Sequence, residues 1–383
     1  MSEAAYPRFS DEEYARRYAR VRALMREEGV DALLLYGTYA GQPDVHYLAN
    51  FLPRQECYLV FPLEGEPALL VQYYNHVPDA REVAVVADVA WAGANTAASV
   101  VVRLSDHGLA TASIGLVGAI PYQHHGLFRV TLPQARFSDL TGAYRRLRLV
   151  KSDEEIVWTR RGSALSDLAV RALAEELRIG MREHELGAIV QSAYLRAGGQ
   201  HAISFLATTA MERPRRFAPA QTWTDRALER GDVILTEISA AYFGYSGQLL
   251  RPFAVGTAPT ARYARIYAVA EEAYRRVVAT LRPGATARDL LAAAAFVDDS
   301  GFTICDDLVH GYVGGYLPPV LRTPATQDGP VADLTFAPGM MVVVQPNVID
   351  GEAGVQVGDL VLVTESGAES LHRYPLGFGV VGA

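Results

Sequence analysis

Residues 231–253 read GDVILTEISAAYFGYSGQLLRPF, and this stretch decides the fold. A Gly-Asp turn leads into an apolar run that ends at Glu237, and a second turn at Gly244 precedes a shorter run that contains Gln248. Short apolar runs bounded by glycine turns are typical of strands, so the stretch predicts two strands joined by a tight turn. Glu237 and Gln248 therefore place polar side chains on otherwise apolar strands.

The same pattern recurs further along the chain. Two sets of residues recur in the same order and with nearly the same spacing. In the first set, Leu177, Arg178, Gly180, Glu185 and Leu186 correspond to Leu281, Arg282, Gly284, Asp289 and Leu290. In the second set, Leu228, Gly231 and strand 233–237 correspond to Phe336, Gly339 and strand 341–345. A duplicated unit must bury its apolar faces against its copy, which predicts a pseudo-symmetric domain with a site between its halves. Glu237 and Gln345 are then counterparts, and they either face a shared cavity or end their strands in solvent.

The residues before this repeat predict a separate α/β domain. Ser10 and Glu13 form a capping-box pattern ahead of an amphipathic helix that Gly29 ends. Ser152 and Glu155 form a second capping box, which opens a long helix predicted at 153–178. We place the boundary there and predict two domains, 1–150 and 151–383. Within the first domain we predict a helix at 96–106 and strands at 30–36, 57–62, 67–73, 83–86 and 112–117.

Composition excludes several classes of partner. The net charge is -8, whereas nucleic-acid binding requires clustered Lys and Arg, so we expect no nucleic-acid partner. No apolar run is long enough to cross a bilayer, and residues 1–12 lack the pattern of a signal peptide. We therefore expect a cytoplasmic protein without a membrane partner.

The order of the motifs resembles the creatinase, prolidase and aminopeptidase P family over most of the chain. The resemblance implies an α/β (α+β) fold, with an N-terminal creatinase-like domain followed by a pita-bread domain. In that family five positions bind two metal ions, and the matching residues here are Glu237, Gln248, Gly314, Gln345 and Gly358. One carboxylate, two amides and two glycines lack the anionic and imidazole ligands that divalent cations require. We therefore expect no bound metal pair and no other cofactor.

The resemblance also suggests candidate site residues, each with a structural alternative. His310, at the start of the family's His-Gly motif, and Glu237 are the catalytic candidates, as acid and base respectively. Each is otherwise a structural residue of the cavity. The candidate substrate-binding residues, which are alternatively core or surface residues, are Gln248, Gln345, Tyr245, Tyr312, Arg251 and Arg54. Arg54 lies in a segment that resembles the loop by which creatinase dimers reach a neighbouring active site.

These residues lead to a functional hypothesis that rests on family analogy. We expect a metal-independent, creatinase-like hydrolase that cleaves a C–N bond in a small polar nitrogen-containing metabolite and forms a homodimer. Three alternatives remain open: a non-catalytic ligand-binding protein of the same fold, a lyase and, in last place, an Xaa-Pro metallopeptidase. Residues 210–218 contain no histidine where the family has a proton-shuttling one, so this chain differs from creatinase itself.

Overall fold

The computed structural model describes residues 6–38, 43–313, 315–327 and 329–382. The chain divides into two compact units, Met1–Arg148 and Leu149–Ala383. None of the helices in these described ranges is both long and apolar enough to span a membrane.

Over its described residues, the first unit forms one six-stranded mixed sheet in the order β4-β3-β2-β1-β5-β6, with apolar clusters on both faces. Its elements are α1 (Asp11–Glu28), β1 (Ala32–Gly37), α2 (Asp44–Ala49), β2 (Cys57–Pro62), β3 (Ala68–Val71), a 3-10 turn (Tyr74–His76), α3 (Val77–Val83), β4 (Asp88–Trp91), α4 (Thr96–Asp106), β5 (Ser113–Val117), α5 (Tyr122–Thr131), β6 (Arg136–Asp139) and α6 (Thr141–Leu147). The predicted first helix is confirmed, because Ser10 Oγ accepts from Glu13 N and Gly29 ends the helix at φ 67°.

One predicted strand of the first unit is wrong. Val83 ends helix α3, and the nearby strand β4 begins only at Asp88. The apolar residues around Val83 belong partly to a helix whose first turn contains Pro78, a position where proline favours helix formation.

Over its described residues, the second unit forms a ten-stranded sheet and a three-stranded sheet. The long sheet has the order β13-β12-β14-β17-β9-β8-β10-β19, with β18 beside β17 and β7 beside β8, whereas the short sheet is β11-β15-β16. The helices are α7 (Asp153–Glu176), α8 (Glu183–Arg196), α9 (Ala261–Thr280), α10 (Ala287–Ala294) and α11 (Phe296–Asp299). The strands are β7 (Gln200–Ala210), β8 (Asp232–Tyr242), β9 (Tyr245–Leu250), β10 (Phe253–Val255), β11 (Thr303–Ile304), β12 (Asp307–Tyr312), β13 (Tyr316–Arg322), β14 (Met341–Val344), β15 (Val348–Asp350), β16 (Ala353–Val355), β17 (Gly358–Val363), β18 (Ala368–Ser370) and β19 (Gly379–Val381).

Equivalent backbone hydrogen bonds occur in the two halves of the second unit. The paired bonds are Gly180 N to Leu228 O (2.8 Å) with Gly284 N to Phe336 O (2.9 Å), and Gly231 N to Val255 O (2.9 Å) with Gly339 N to Val363 O (2.9 Å). Gly231 and Gly339 have φ values of 89° and 82°, a left-handed conformation that side chains with a Cβ disfavour. These equivalences confirm the predicted internal repeat, in which β8 and β14 are counterparts.

Helices cover one face of the long sheet. Ser166 of α7 donates its hydroxyl to Gly247 O of β9 over 2.6 Å, and Val342 and Val344 of β14 share an apolar cluster with residues of α9. Because side chains alternate along a strand, Gln248 and Gln345 lie on the opposite face. The candidate site is therefore built on the face that these helices leave uncovered.

Candidate active site

The register of β8 and β9 brings the first two candidate residues together. Gln248 lies opposite Ser239, and Glu237 is two residues before Ser239 on the same face. Gln248 Nε2 donates a hydrogen bond to Glu237 Oε1 over 3.1 Å. The structure thus confirms that the polar residues noted on these two strands are neighbours.

The register of β12 and β14 brings two further candidate residues, His310 and Gln345, close to each other. His310 lies opposite Val343, and Gln345, two residues beyond Val343, donates its backbone N–H to Leu308 O over 2.9 Å. The Gln345 side chain accepts from Gln248 Nε2 at 2.8 Å. A chain of side-chain hydrogen bonds therefore joins β8, β9 and β14, and so connects the two halves of the repeat.

Burial changes the charge that Glu237 carries. The neighbouring amides Gln248 and Gln345 are fully buried, whereas Glu237 keeps partial exposure. Burial, with a smaller contribution from the negative charge of Asp306, raises the pKa of Glu237 to about 7. At neutral pH Glu237 is present in both protonation states, which suits a group that takes up and releases protons.

His310 is a buried, neutral imidazole. Its Nδ1 lies 3.1 Å from Gly311 O, its ring stacks on Tyr316 with centroids 4.1 Å apart, and Tyr312 packs edge-on at 5.6 Å. Burial lowers the pKa of His310 to about 4. Because Gly311 O can only accept, Nδ1 carries the proton and Nε2 is left as an acceptor.

These pKa values correct the roles that we assigned from the sequence. We predicted His310 as the acid and Glu237 as the base, but at neutral pH His310 is the uncharged imidazole and Glu237 is protonated in part. The cause is burial, which disfavours the charged form of both groups. Glu237 is therefore the only one of the two that can donate a proton at neutral pH.

Two aspartates that we did not select from the sequence join the cluster. Asp307 Oδ2 lies 4.0 Å from His310 Nε2, and Gln345 Nε2 contacts Asp307 O and Oδ2, each at 3.4 Å. Asp306 Oδ1 accepts from Asp307 N at 2.8 Å. Burial and the adjacent Asp306 raise the pKa of Asp307. Two consecutive acidic residues at the start of an otherwise apolar strand were the signal that could have identified them.

Tyr312 belongs to the cluster and Tyr245 does not. Tyr312 is buried against His310, and burial raises the pKa of its phenol, with Glu237 adding to the effect. Tyr245 lies on the opposite face of β9, where its hydroxyl donates to Glu155 Oε1 of α7 over 3.0 Å. The structure therefore does not place Tyr245 where we predicted a substrate contact.

Arg251 is also outside the cluster. It is 1% exposed, and its guanidinium donates to Asp359 Oδ1 at 2.8 Å and to four backbone carbonyl oxygens, those of Leu250, Gly358, Tyr374 and Pro375. Burial opposes ionisation of Asp359, but the charge of Arg251 and further hydrogen bonds hold the pKa of Asp359 below its ordinary value. Arg251 thus stabilises the opposite face of the sheet and has no donor left for a substrate, contrary to our prediction.

Two of the sequence predictions are not tested by these contacts. Arg54 is exposed in the first unit, and its contact with a neighbouring subunit stays a prediction. Gly314 lies outside the described residues.

Comparison with known proteins identifies the family. Residues 158–365 match metallopeptidase family M24, and residues 17–150 match the creatinase/prolidase N-terminal domain. The chain belongs to metallopeptidase family M24. Among its relatives, a probable dipeptidase PepE from Mycobacterium tuberculosis is 28% identical over an alignment of 395 residues that covers 96% of each chain. An Xaa-Pro dipeptidase from Pyrococcus furiosus is 27% identical over 265 residues, which are 69% of this chain and 74% of that one.

A solved prolidase structure has the same fold. The prolidase from Pyrococcus horikoshii superposes with a TM-score of 0.79 at 22% identity, covering 94% of this chain and 99% of that one. This similarity confirms the predicted combination of an N-terminal creatinase-like domain and a pita-bread domain. The prediction of a hydrolase is confirmed at the level of the family, whose matching members are named as peptidases.

The comparisons contradict our main functional prediction. We expected a metal-independent, creatinase-like hydrolase of a small metabolite, but the matching M24 family is one of metallopeptidases and the relatives are named dipeptidases. The expectation of metal independence came from the residues at the metal-ligand positions, whereas the similarity to the peptidases extends over both domains. It favours the peptidase alternative that we had placed last.

The residues at the M24 ligand positions nevertheless fit a metal pair poorly. The described residues contain no group of three or more His, Cys, Asp or Glu that could hold a metal ion. Gln248 Nε2 directs its N–H groups at Glu237 and Gln345, so an amide donor lies between these two oxygens. A Cβ at Gly358 would lie 2.7 Å from Val344 O, which leaves no room for a longer ligand side chain. We therefore derive no catalytic step through a metal.

Proposed function

We propose that this chain is a peptidase of the dipeptidase type that cleaves short peptides, with Xaa-Pro dipeptides as the first substrates to test. The observation that carries the proposal is the 28% identity to a dipeptidase across 96% of both chains, which includes both domains. The polar cluster at the ends and centres of β8, β9, β12 and β14 gives this fold a site for polar chemistry.

In the proposed reaction Glu237 transfers the proton. Its ionised form accepts a proton from the attacking water while the water oxygen bonds to the peptide carbonyl carbon. The resulting carboxylic acid group of Glu237 donates that proton to the leaving nitrogen as the C–N bond breaks. The immediate products are a carboxylic acid, which keeps the second proton of the water, and an amine; transfer of that second proton to the amine gives a carboxylate and an ammonium group. A pKa of about 7 lets one carboxyl group perform both transfers near neutral pH.

The other cluster residues position Glu237 and the substrate. Gln248 fixes the Glu237 carboxylate through the 3.1 Å hydrogen bond, and Gln345 fixes Gln248 in turn. His310 is held by its Gly311 contact and by stacking on Tyr316. Locked side chains of this kind hold reacting groups in a productive geometry.

The test is release of free proline from Ala-Pro by the full chain, as purified and with added Mn²⁺. We expect turnover, and we expect Glu237→Gln to lower kcat/KM by roughly 10²–10⁴-fold, the usual contribution of a general acid–base group. Glu365→Gln, the same substitution at an exposed position, is the control and leaves the rate unchanged. Retention of full activity by Glu237→Gln would refute the assigned role.

A second candidate is a ligand-binding protein of the M24 fold that has no turnover. The observation that favours it is the pair of neutral amides, Gln248 and Gln345, at positions where the family has ligand carboxylates. Calorimetric binding of Ala-Pro without release of proline from any dipeptide would favour this candidate over the peptidase.

The homodimer and the cytoplasmic location also stay predictions. Light scattering on the purified chain, whose monomer mass is 41.6 kDa, tests the dimer directly. A mass equal to one chain would exclude it.

A further inference from the structure

Phe217 exposes a large apolar side chain on the uncovered face of the second unit. It lies in the loop between β7 and β8 and is 41% exposed, and its backbone oxygen accepts from Gln356 Nε2 over 2.5 Å. Gln356 is fully buried, and Val355 and Val357 on either side of it belong to the apolar cluster that includes residues of α9. Because successive side chains of an extended segment alternate, Gln356 points away from the helices. Phe217 is therefore held on the face opposite them.

The loop that carries Phe217 passes beside the polar cluster. A Cβ at Gly358, two residues after Gln356, would meet Gln345 Cβ at 3.0 Å, so the segment that holds Phe217 is next to Gln345. Gln345 in turn accepts from Gln248 over 2.8 Å. The exposed ring thus lies at the border of the candidate active site, outside the set of residues that form its hydrogen-bonded cluster.

The backbone of Phe217 is fixed in this position by three contacts. One is the Gln356 hydrogen bond, and the second is close packing on Gly354, where an added Cβ would clash with Phe217 O. The third is a hydrogen bond from Arg215 N to Thr209 Oγ1 of β7 over 2.9 Å. An exposed apolar ring on a fixed backbone is typical of a binding surface, because a ligand gains apolar contact there without the cost of ordering a loop.

We propose that Phe217 is a specificity-determining residue whose ring contacts a large apolar side chain of the bound peptide. Gln356 and Gly354 are positioning residues that hold the ring beside the cluster. The apolar class of the bound group follows from the phenyl ring, which offers contact area and no hydrogen-bonding atom. That the ligand is a peptide rests on the proposed function. The favoured substrates are then short peptides with one large aliphatic or aromatic residue.

The experiment measures the affinity of the full chain for Ala-Ala, Leu-Ala and Ala-Leu by calorimetry. The two leucine peptides place the apolar side chain on either side of the peptide bond. We expect the better of them to bind about fivefold more tightly than Ala-Ala, or better, because each buried CH₂ group favours binding. In Phe217→Ala this preference is expected to fall to about twofold or less while Ala-Ala binds as before.

Tyr122→Ala, which removes an exposed aromatic residue of α5 in the first unit, is the control and retains the preference. Phe217→Leu keeps an apolar side chain and is expected to retain most of the preference, which distinguishes lost contact from a folding defect. Equal affinity of the wild type for the three peptides, or the full preference in Phe217→Ala, overturns the proposal.

The positioning role of Gln356 has its own test. Gln356→Leu removes the donor to Phe217 O. The variant is expected to lose the preference for leucine while its affinity for Ala-Ala is unchanged, a pattern that a general loss of stability does not produce. An unchanged preference in this variant would show that Gln356 does not position the ring.

Turnover separates this proposal from the peptidase assignment. A preference for leucine in binding, without release of amino acids from any of the three peptides, would contradict the peptidase function and leave the role of Phe217 in place. Hydrolysis of all three peptides at equal kcat/KM would do the reverse. If no dipeptide binds, N-acetyl-leucine methylamide and its alanine counterpart are compared by ligand-observed NMR. Binding of neither, or equal binding of both, would overturn the role of Phe217.

Discussion

The Gln248 amide nitrogen donates to the Glu237 carboxylate over 3.1 Å and to the Gln345 amide oxygen over 2.8 Å. Glu237 and Gln345 are counterparts in the internal repeat, although Glu237 lies at the centre of β8 and Gln345 directly follows β14, so one side chain links equivalent positions of both halves. The link holds Glu237 in a site where burial raises the pKa of this carboxyl to about 7.

The raised pKa of Glu237 predicts that stability falls as pH rises. Below its ordinary pKa of 4.5 the group is neutral in both states, and between 4.5 and about 7 the unfolded chain ionises while the folded chain does not. Glu237→Gln removes this contribution. From pH 5 to pH 8 the variant is expected to lose roughly 2 kcal/mol less unfolding free energy than the wild type, measured by urea denaturation. Equal pH dependence in both proteins would contradict the prediction.

The lowered pKa of His310 predicts the opposite effect in acid, a loss of stability as pH falls. Its pKa is lowered from 6.5 to about 4, so its contribution is complete above pH 6.5 and is lost as pH falls towards 4. His310→Phe keeps an aromatic ring beside Tyr316 and removes the titration. From pH 7 to pH 5 the wild type is expected to lose about 2 kcal/mol more than this variant. The variant also loses the Gly311 contact, which lowers its stability at every pH. The two proteins are therefore compared by how steeply the free energy of unfolding changes with pH. His46, whose pKa burial also lowers, is present in both proteins and cancels.

The substitution Gly358→Ala, which adds one methyl group, tests whether position 358 has room for a side chain. A Cβ there meets Val344 O at 2.7 Å and Gln345 Cβ at 3.0 Å, so Gly358→Ala is expected to destabilise the chain by about 1–3 kcal/mol. Gly367→Ala is the matched control, because a Cβ at that position meets nothing within 4 Å. Similar stability of the two variants in thermal and urea unfolding would show that position 358 has room for a side chain.

The corrected role of Arg251 predicts a loss of stability without a specific loss of substrate affinity. Arg251→Met leaves Asp359 buried without its ion pair, which is expected to cost about 3–5 kcal/mol. Arg288→Met, at an exposed position of α10, is the control and is expected to be nearly neutral. If Arg251→Met instead raised KM for Ala-Pro while retaining wild-type stability, the result would support the original prediction that Arg251 contacts the substrate.

Several features of this protein were predictable because local patterns specify them. The capping box at Ser152 and the glycines Gly231 and Gly339 mark where a helix or strand begins, and the structure confirms each. The positions of Glu237 and Gln248 followed from the same pattern, since strand alternation and a tight turn make the two residues neighbours. The error at residues 83–86 arose where an apolar run was too short to distinguish a helix end from a strand.

The sequence by itself determined the two-domain fold, the internal repeat and four of the cluster residues, Glu237, Gln248, His310 and Gln345. The fold and the repeat depend on turn residues, strand periodicity and spacing, which are properties of neighbouring residues in the chain, whereas the cluster residues were selected through the resemblance to the creatinase family. Only the tertiary structure decided the protonation of Glu237 and His310, the membership of Asp306 and Asp307, and the exclusion of Tyr245 and Arg251. Those outcomes depend on burial and on distances between segments far apart in sequence, because desolvation and charge act through space.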